Sequence, residues 1–289
     1  IIRRHPTATV VVTGCYAQID PDALAAIPGV ALIVGTEDKS RIPDLLEASL
    51  PDPPRRVVGD AARIRTFAAP PLDRFPGRTR AFLKIQDGCN AFCRYCIVPY
   101  ARGRSRSLPE ADVMERLHRL GRNGYREVVL TGIHLGVYGQ DLDPPVDLGR
   151  LVKRVEADAP VERIRLSSLE PLEADGLLTA IRGSRRLCPH LHIPLQSGDD
   201  AILAAMNRHY DAAFFADLIR RLVAAIPDLA VGVDVLAGFP GEGAEAFHRT
   251  VALLEALPVA YLHVFPYSRR PGTAAADLPG QVPDGEKKR

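Results

Sequence analysis

Apolar and polar positions along the chain change their spacing twice. Residues 8–13 form a continuous β-branched and apolar run that ends at Gly14-Cys15. Asp20-Pro21 opens a short helical stretch through Ile27, residues 30–34 are apolar again, and residues 42–50 return to a helical period. This pattern predicts a small βαβα piece over residues 1–50. Residues 51–80 break it with Pro51, Pro53, Pro54, Pro70, Pro71 and Pro76 and with many arginines, which predicts a linker. From residue 81 short apolar runs recur at 81–86, 126–131, 161–167, 190–195, 229–236 and 259–264. Helical stretches separate them, at about 108–122, 147–157, 172–182, 199–206 plus 212–225, and 244–256. The helix near 108 carries a start signal, Ser107-Leu108-Pro109-Glu110, with capping-box spacing and an early proline. Six strands alternating with helices predict an α/β fold, a parallel sheet curled into a partial six-stranded barrel over residues 81–270. Right-handed crossovers place every strand's C-terminal end on one rim, and in barrel enzymes that rim carries the chemistry.

Composition adds bounds. The 289 residues suffice for a large domain with a small one. The 46% hydrophobic and 25% charged residues match a soluble globular chain, which suggests a cytoplasmic protein. No apolar run has the length of a membrane span, so no membrane partner is expected, and no signal peptide is visible. The first residue is Ile1, which suggests a fragment. A net charge of +2 says little about partners. Five cysteines are present and three fall within eight residues, which favours a metal or cluster site over a disulfide frame.

Those three are Cys89, Cys93 and Cys96, spaced Cys-x3-Cys-x2-Cys directly after the first barrel strand. Three thiolates on one loop can hold three corners of a cubane iron–sulfur cluster and leave the fourth iron open, where an amino acid group could chelate. A structural zinc site normally closes with four ligands, and no second Cys-x2-Cys pair is present; Cys188 or a histidine would have to complete it.

The motif Cys-x3-Cys-x-aromatic-Cys resembles the signature of radical S-adenosylmethionine (SAM) enzymes. The wider text from Ile85 to Gly103, together with Leu191-His192-Ile193-Pro194-Leu195-Gln196-Ser197-Gly198, Gly238-Phe239-Pro240-Gly241-Glu242 and Phe265-Pro266-Tyr267-Ser268, resembles the methylthiotransferase branch over nearly the whole chain. The resemblance implies a 4Fe-4S cluster on Cys89, Cys93 and Cys96, SAM chelated to it, and Tyr95 against the adenine. It implies contacts from Thr131-Gly132 to the methionyl end of SAM. It also implies a second cluster on three cysteines of an N-terminal domain. Gly14-Cys15-Tyr16-Ala17-Gln18 resembles the third ligand segment of that domain, so Cys15 is a candidate ligand, with a plain core cysteine as the alternative, and residues 1–50 are a remnant of the domain. Residues 271–289 would begin a linker to a β-rich RNA-binding domain.

Further rim positions carry candidate chemistry. Ser167 and Glu170 follow the third strand and suit the ribose of SAM or the cap of the next helix. His134, after the second strand, suits a functional role or a loop cap equally. His190, His192 and Gln196 mark the fourth strand, and period two puts both histidines on one face, toward substrate or as satisfied core residues. Asp234 is a carboxylate within an apolar strand, where a charge is rare without a partner or a task, and is a candidate catalytic residue. Val233 and Gly243 stand where relatives are expected to carry a hydroxyl residue and a threonine.

Arg94, Arg102, Arg104 and Arg106 lie among Phe92, Tyr95 and Tyr100 with no acidic residue between Asp87 and Glu110. Guanidinium groups pair with phosphate and aromatics stack on bases, so this run is a candidate tRNA contact, extended by Arg63, Arg65, Arg78 and Arg80; a solvated loop is the plain alternative. The text around Thr131–Gly136 and Met206–Tyr210 looks most like the branch acting on threonylcarbamoyladenosine beside the anticodon. The branches acting on isopentenyladenosine or on a ribosomal protein are the alternatives. An electron donor such as a flavodoxin or ferredoxin is implied. Outside the family, a non-catalytic electron carrier or a zinc-stabilised RNA-binding module would also use clustered cysteines.

Overall fold

The structure, a computed structural model, describes residues 2–5, 7–47, 54–70 and 72–289, and the chain divides into two units. The first comprises residues 1–70 with 88–90 and 97–104; the second comprises 71–87, 91–96 and 105–289.

In the first unit β1 (Val10–Thr13), β2 (Val30–Val34) and β3 (Arg55–Val57) form a parallel sheet in that order. Helices α1 (Cys15–Ile19), α2 (Pro21–Ala25) and α3 (Ile42–Glu47) follow β1 and β2. Alternation along β2 sends Ile33 to a cluster with Ala17 and Leu24, and Leu32 and Val34 to another with Leu45. Asp20 caps α2, accepting from the Ala23 amide at 3.0 Å, with Pro21 in the first turn. Residues 97–104 carry α4 (Val98–Arg102), whose Ala101 carbonyl accepts from the Thr36 hydroxyl at 2.7 Å.

Two features here were not expected. Helix α1 follows β1 directly. Strand β3 falls inside the stretch read as a linker, because its arginines mask an edge strand; charged side chains suit an edge, where they discourage further pairing. Residues 48–50 of the expected helix, with Pro51, Pro53 and Pro71, lie outside the described residues.

In the second unit β4 (Arg80–Lys84) leads into the short β5 (Gln86–Asp87), which pairs antiparallel with β6 (Arg106–Ser107). Helix α5 (Glu110–Arg122), β7 (Glu127–Thr131), α6 (Leu148–Asp158), β8 (Arg163–Leu166), α7 (Pro171–Arg182) and β9 (His190–His192) follow. Next come α8 (Asp200–Ala205), α9 (Ala212–Ala225), β10 (Ala230–Ala237), α10 (Ala244–Glu255) and β11 (Tyr261–Pro266). Strands β4, β7 and β8 are parallel neighbours, as are β9, β10 and β11. The two sets meet where Ile164 bridges Leu187 just before β9, and the Cys188 amide donates to the Ile164 carbonyl at 2.8 Å. Six parallel strands in chain order, joined by helical crossovers, form the expected partial barrel. The helices cover it with regular apolar stripes: Val113, Leu117 and Leu120 on α5, and Leu148, Leu151 and Val155 on α6, are buried.

The start of α5 differs from expectation. Pro109 is its N-cap, and Ser107 lies in β6, too early to cap. Its hydroxyl instead bonds Asp141 Oδ1 at 2.6 Å and accepts from the Gly139 amide at 2.8 Å. Residues 271–289 also pack rather than trail. Ala275 donates to the Arg94 carbonyl at 2.8 Å, Gly241 donates to the Gly280 carbonyl at 2.9 Å, and Lys287 of α11 (Asp284–Lys288) lies over the Tyr267 ring at 5.2 Å.

Asp199 ties α8 to α10. Its carboxylate is buried, accepts from the Ile202 amide at 2.9 Å and pairs with Arg249 at 2.5 Å. Burial works against the charge, but these hydrogen bonds and Arg249 together hold the carboxyl below the usual carboxylate range. A folded-state pKa below the unfolded one means that this stabilisation is complete above about pH 4, the unfolded value, and is lost as pH falls through the folded one. Asp199→Ala is expected to cost about 2 kcal/mol at neutral pH through the lost cap. It should also flatten the acid limb of a urea-midpoint profile recorded from pH 7 to pH 3.

Candidate functional site

The cysteine loop leaves β5 through Gly88, whose φ of +73° favours glycine. Any side chain there would strike the Gly103 and Arg104 carbonyls. The Cys89 amide donates to the Gly103 carbonyl at 3.1 Å. Within the second unit the rest of the loop is pinned on both sides. The Arg94 amide donates to the Met206 carbonyl at 3.0 Å and its own carbonyl accepts from Ala275. The Cys96 amide closes a turn onto the Cys93 carbonyl at 2.9 Å. Tyr95 sends its ring into a cluster of Ile202, Met206, Phe239 and Tyr267, so it supports the loop. Cys89, Cys93 and Cys96 are half-buried thiols, and none is in a disulfide.

Cys93 has a charged neighbour that the sequence does not announce. Arg208 lies 3.4 Å from its sulfur. The guanidinium is buried and donates to both oxygens of Glu170, at 3.1 Å to Oε1, and to the Tyr210 hydroxyl at 3.1 Å. It also lies 5.0 Å from the Tyr210 ring centroid. The Tyr210 hydroxyl in turn donates to the Leu195 carbonyl at 2.8 Å. Burial opposes the charge of Arg208, but the Tyr210 hydroxyl and the Glu170 carboxylate that accept its hydrogen bonds hold the guanidinium protonated. Burial pushes the Tyr95 and Tyr210 phenols up despite Arg208, so both remain neutral. A fixed cation beside Cys93 is a charge-assisted donor for a sulfur that must be anionic to bind metal.

Three soft thiolate donors on one loop suit an iron–sulfur cluster. A closed zinc site is not completed by Cys188. That residue is buried at the opposite end of the strands, beside the start of β8, and burial pushes its thiol up.

At the C-terminal ends of the strands several expected residues come together. Gln86 is fully buried; its side chain accepts from the His134 amide at 2.8 Å and donates to Ser105 at 3.0 Å. The Thr131 carbonyl accepts from Ile85, and the Gly132 amide reaches Ser167 Oγ at 3.4 Å, which brings the β7 and β8 ends side by side. Gln196 has a φ of +69°, held by its bridge to Val235. Such a backbone is uncommon outside glycine, and it turns the chain at the β9 end. His134 pairs with Glu173, which favours its loop-anchoring reading; a side chain at Gly136 would collide with that carboxylate.

On β9, β10 and β11 the period-two rule gives one mixed face. His192, Gly232 and Tyr261 stand in register across the three strands, Asp234 pairs with His263 one step further on, and His190 pairs with Ala230 one step back. The Tyr261 ring lies over Gly232, where any side chain would overlap it. His190 bonds the Tyr261 hydroxyl at 2.8 Å, and Ser168 Oγ bonds His192 Nδ1 at 2.7 Å. Asp234 is partly buried and lies between His192 and His263. His263 was not singled out from the sequence, although Tyr261 and His263 repeat the spacing of His190 and His192.

The arginine run needs correction. Arg106 is buried and pairs with Asp87 at 2.9 Å across β5 and β6, so it does not face a tRNA. Asp87, which bounds the acid-free run, is itself the partner. Arg102 is half-buried and donates to the Cys15 sulfur at 3.3 Å. Arg94 and Arg104 are exposed. Of the proposed extension, Arg63 pairs with Asp60, Arg80 with Glu127, and Arg78 lies over Phe82.

A parallel six-strand arc with a three-cysteine loop after its first strand defines a class, and the model of the Radical SAM superfamily matches residues 83–254. The chain is 42% identical to threonylcarbamoyladenosine tRNA methylthiotransferase MtaB of Bacillus subtilis over 99% of its own length and 64% of that protein's. The corresponding protein of Aquifex aeolicus is 40% identical, over 99% of this chain and 70% of its own length. The tRNA-2-methylthio-N(6)-dimethylallyladenosine synthase of Clostridium tetani is 34% identical, over 98% and 63%. Among solved structures, the radical SAM methyltransferase TsrM of Kitasatospora setae, with cobalamin and a [4Fe-4S] cluster bound, superimposes with a TM-score of 0.56 at 19% identity, covering 68% of this chain and 38% of that one; this likeness concerns the fold. The chain belongs to the tRNA methylthiotransferase family of the radical SAM superfamily. It spans roughly two thirds of the length of these relatives, 63–70%.

Proposed function

We propose that the chain is the radical-generating part of a methylthiotransferase that adds a methylthio group to C2 of N6-threonylcarbamoyladenosine next to the tRNA anticodon. The observation that carries this reading is the Cys89, Cys93 and Cys96 loop at the barrel rim, in a chain similar from end to end to proteins of that name. Held by Cys89, Cys93 and Cys96, a 4Fe-4S cluster would supply the one-electron reduction of SAM on which radical chemistry at an unreactive C–H bond depends.

The chain's own residues hold and orient. Cys89, Cys93 and Cys96 would bind three irons. Arg208, locked by Glu170 and Tyr210, holds a positive charge at Cys93. Thr131, Gly132, Ser167 and Gln196 line the strand ends where SAM would lie, and Glu170 contributes through Arg208. Tyr95 braces the loop. Asp234 faces the barrel interior with two histidines. Arg94 and Arg104 offer exposed guanidinium groups for phosphate. Cys15 would be one ligand of a second cluster. No helix among the described residues is long and apolar enough to cross a membrane. A cytoplasmic site and a flavodoxin- or ferredoxin-like donor accord with a tRNA substrate and a low-potential cluster.

The second reading is isopentenyladenosine as substrate, supported by the 34% identical synthase named for that nucleoside. Mass spectrometry of nucleosides from a deletion strain separates the two. Loss of 2-methylthio-threonylcarbamoyladenosine, restored by the intact gene but not by Cys93→Ala, is the expected result. Loss of the methylthio group from isopentenyladenosine instead would overturn the choice of substrate.

A further inference from the structure

We propose that His192, Asp234 and His263 form a binding site for a first-row divalent cation, zinc foremost, independent of the cysteine loop. The three residues come from three adjacent strands, β9, β10 and β11, and each offers one ligand atom. These atoms all lie within 4.8 Å of one another. His192 Nε2 is 3.1 Å and His263 Nδ1 3.2 Å from the same oxygen, Asp234 Oδ1. In a tetrahedral site with bonds of about 2.0–2.1 Å, neighbouring donors stand roughly 3.3 Å apart, so these donors need little movement to share an ion.

The hydrogen bonding points the same way. His192 is nine-tenths buried, at 9% exposure, and its Nε2 has no well-aligned hydrogen-bond partner among the described residues although it lies 3.1 Å from a carboxylate oxygen. Its other nitrogen is taken by Ser168. If Nδ1 carries the proton toward Ser168, Nε2 aims a lone pair at the carboxylate, a repulsion that a cation between them removes. An oriented imidazole whose second nitrogen is held by a neighbouring oxygen is the usual support of a metal-binding histidine. Two imidazoles and one carboxylate suit zinc, and this donor set leaves a coordination position for water or a ligand group. His263, with about half its side chain exposed, marks the open side. Asp234 thereby has a reason to stand in an apolar strand.

The test uses the full chain with its cluster reconstituted anaerobically, so that the three loop thiolates are occupied. Equilibrium dialysis against zinc chloride followed by metal analysis is expected to show about one zinc per chain in addition to iron. Competition with a chromophoric chelator should show zinc affinity falling about 10-fold or more in Ser168→Ala, and further in His263→Ala. His263 is exposed enough that its replacement should leave the thermal melt of the metal-free protein unchanged, which separates ligand loss from misfolding. Absence of bound zinc, or zinc held equally by the unmodified protein and His263→Ala, would overturn the proposal. Neither result bears on whether the cysteine loop cleaves SAM.

Discussion

Cys93→Ala is expected to leave the chain unable to retain a stable cluster and to remove reductive SAM cleavage to below detection. Each loop cysteine would supply one of the three thiolates that the motif offers a four-iron cluster. Cys93 also has a defined charge partner, the buried Arg208 at 3.4 Å. Iron and sulfide analysis of the reconstituted variant, with chromatographic assay of 5′-deoxyadenosine, measures both effects. Cys188→Ala is the matched control. Cys188 is buried at the far end of the strands, so its removal should change packing stability and leave iron content unaltered. If Cys93→Ala keeps a normal iron complement, the assignment of the loop is wrong.

The second large effect concerns the pair that supports the loop. Glu170→Ala is expected to destabilise the second unit by about 3 kcal/mol, because it strands the buried guanidinium of Arg208. The side chain of Arg208 is only 4% exposed, and its other partners, Tyr210 and Cys93, carry no fixed protein charge that could replace the carboxylate. For a unit of this size the melting temperature should fall by roughly 6–12 °C. The double variant Glu170→Gln, Arg208→Met removes both charges together, so it should recover much of that loss. It should not recover cluster retention if Arg208 acts at Cys93. Thermal melts and iron retention during dialysis therefore separate the structural and positioning roles of the same arginine. A double variant with normal retention would assign Arg208 to stability alone.

Barrel strands were legible because each is a short apolar run between helical stripes, and a parallel sheet covered by helices demands that pattern. The cysteine loop was legible because its chemistry is local. What the sequence hid depends on distant partners. Arg106 reads as one of four equivalent loop arginines, yet antiparallel pairing of β5 and β6 sets it against Asp87. Arg208 follows α8 in a polar stretch, and only the fold closes Glu170 and Tyr210 around it. Strand β3 carries two arginines in three residues and forms because β2 offers it an edge. Asp234 was conspicuous as a charge in an apolar strand. The meaning of its position required the register that brings His192 and His263 to it.

The most direct test of the account is electron paramagnetic resonance of the anaerobically reconstituted, dithionite-reduced chain, recorded with and without SAM. A cluster held by Cys89, Cys93 and Cys96 with one open iron should give a reduced 4Fe-4S signal that shifts when SAM is added, and Cys93→Ala should lose the signal itself. A signal unchanged by SAM, or a preparation that holds zinc in the loop with no iron or sulfide, would contradict it.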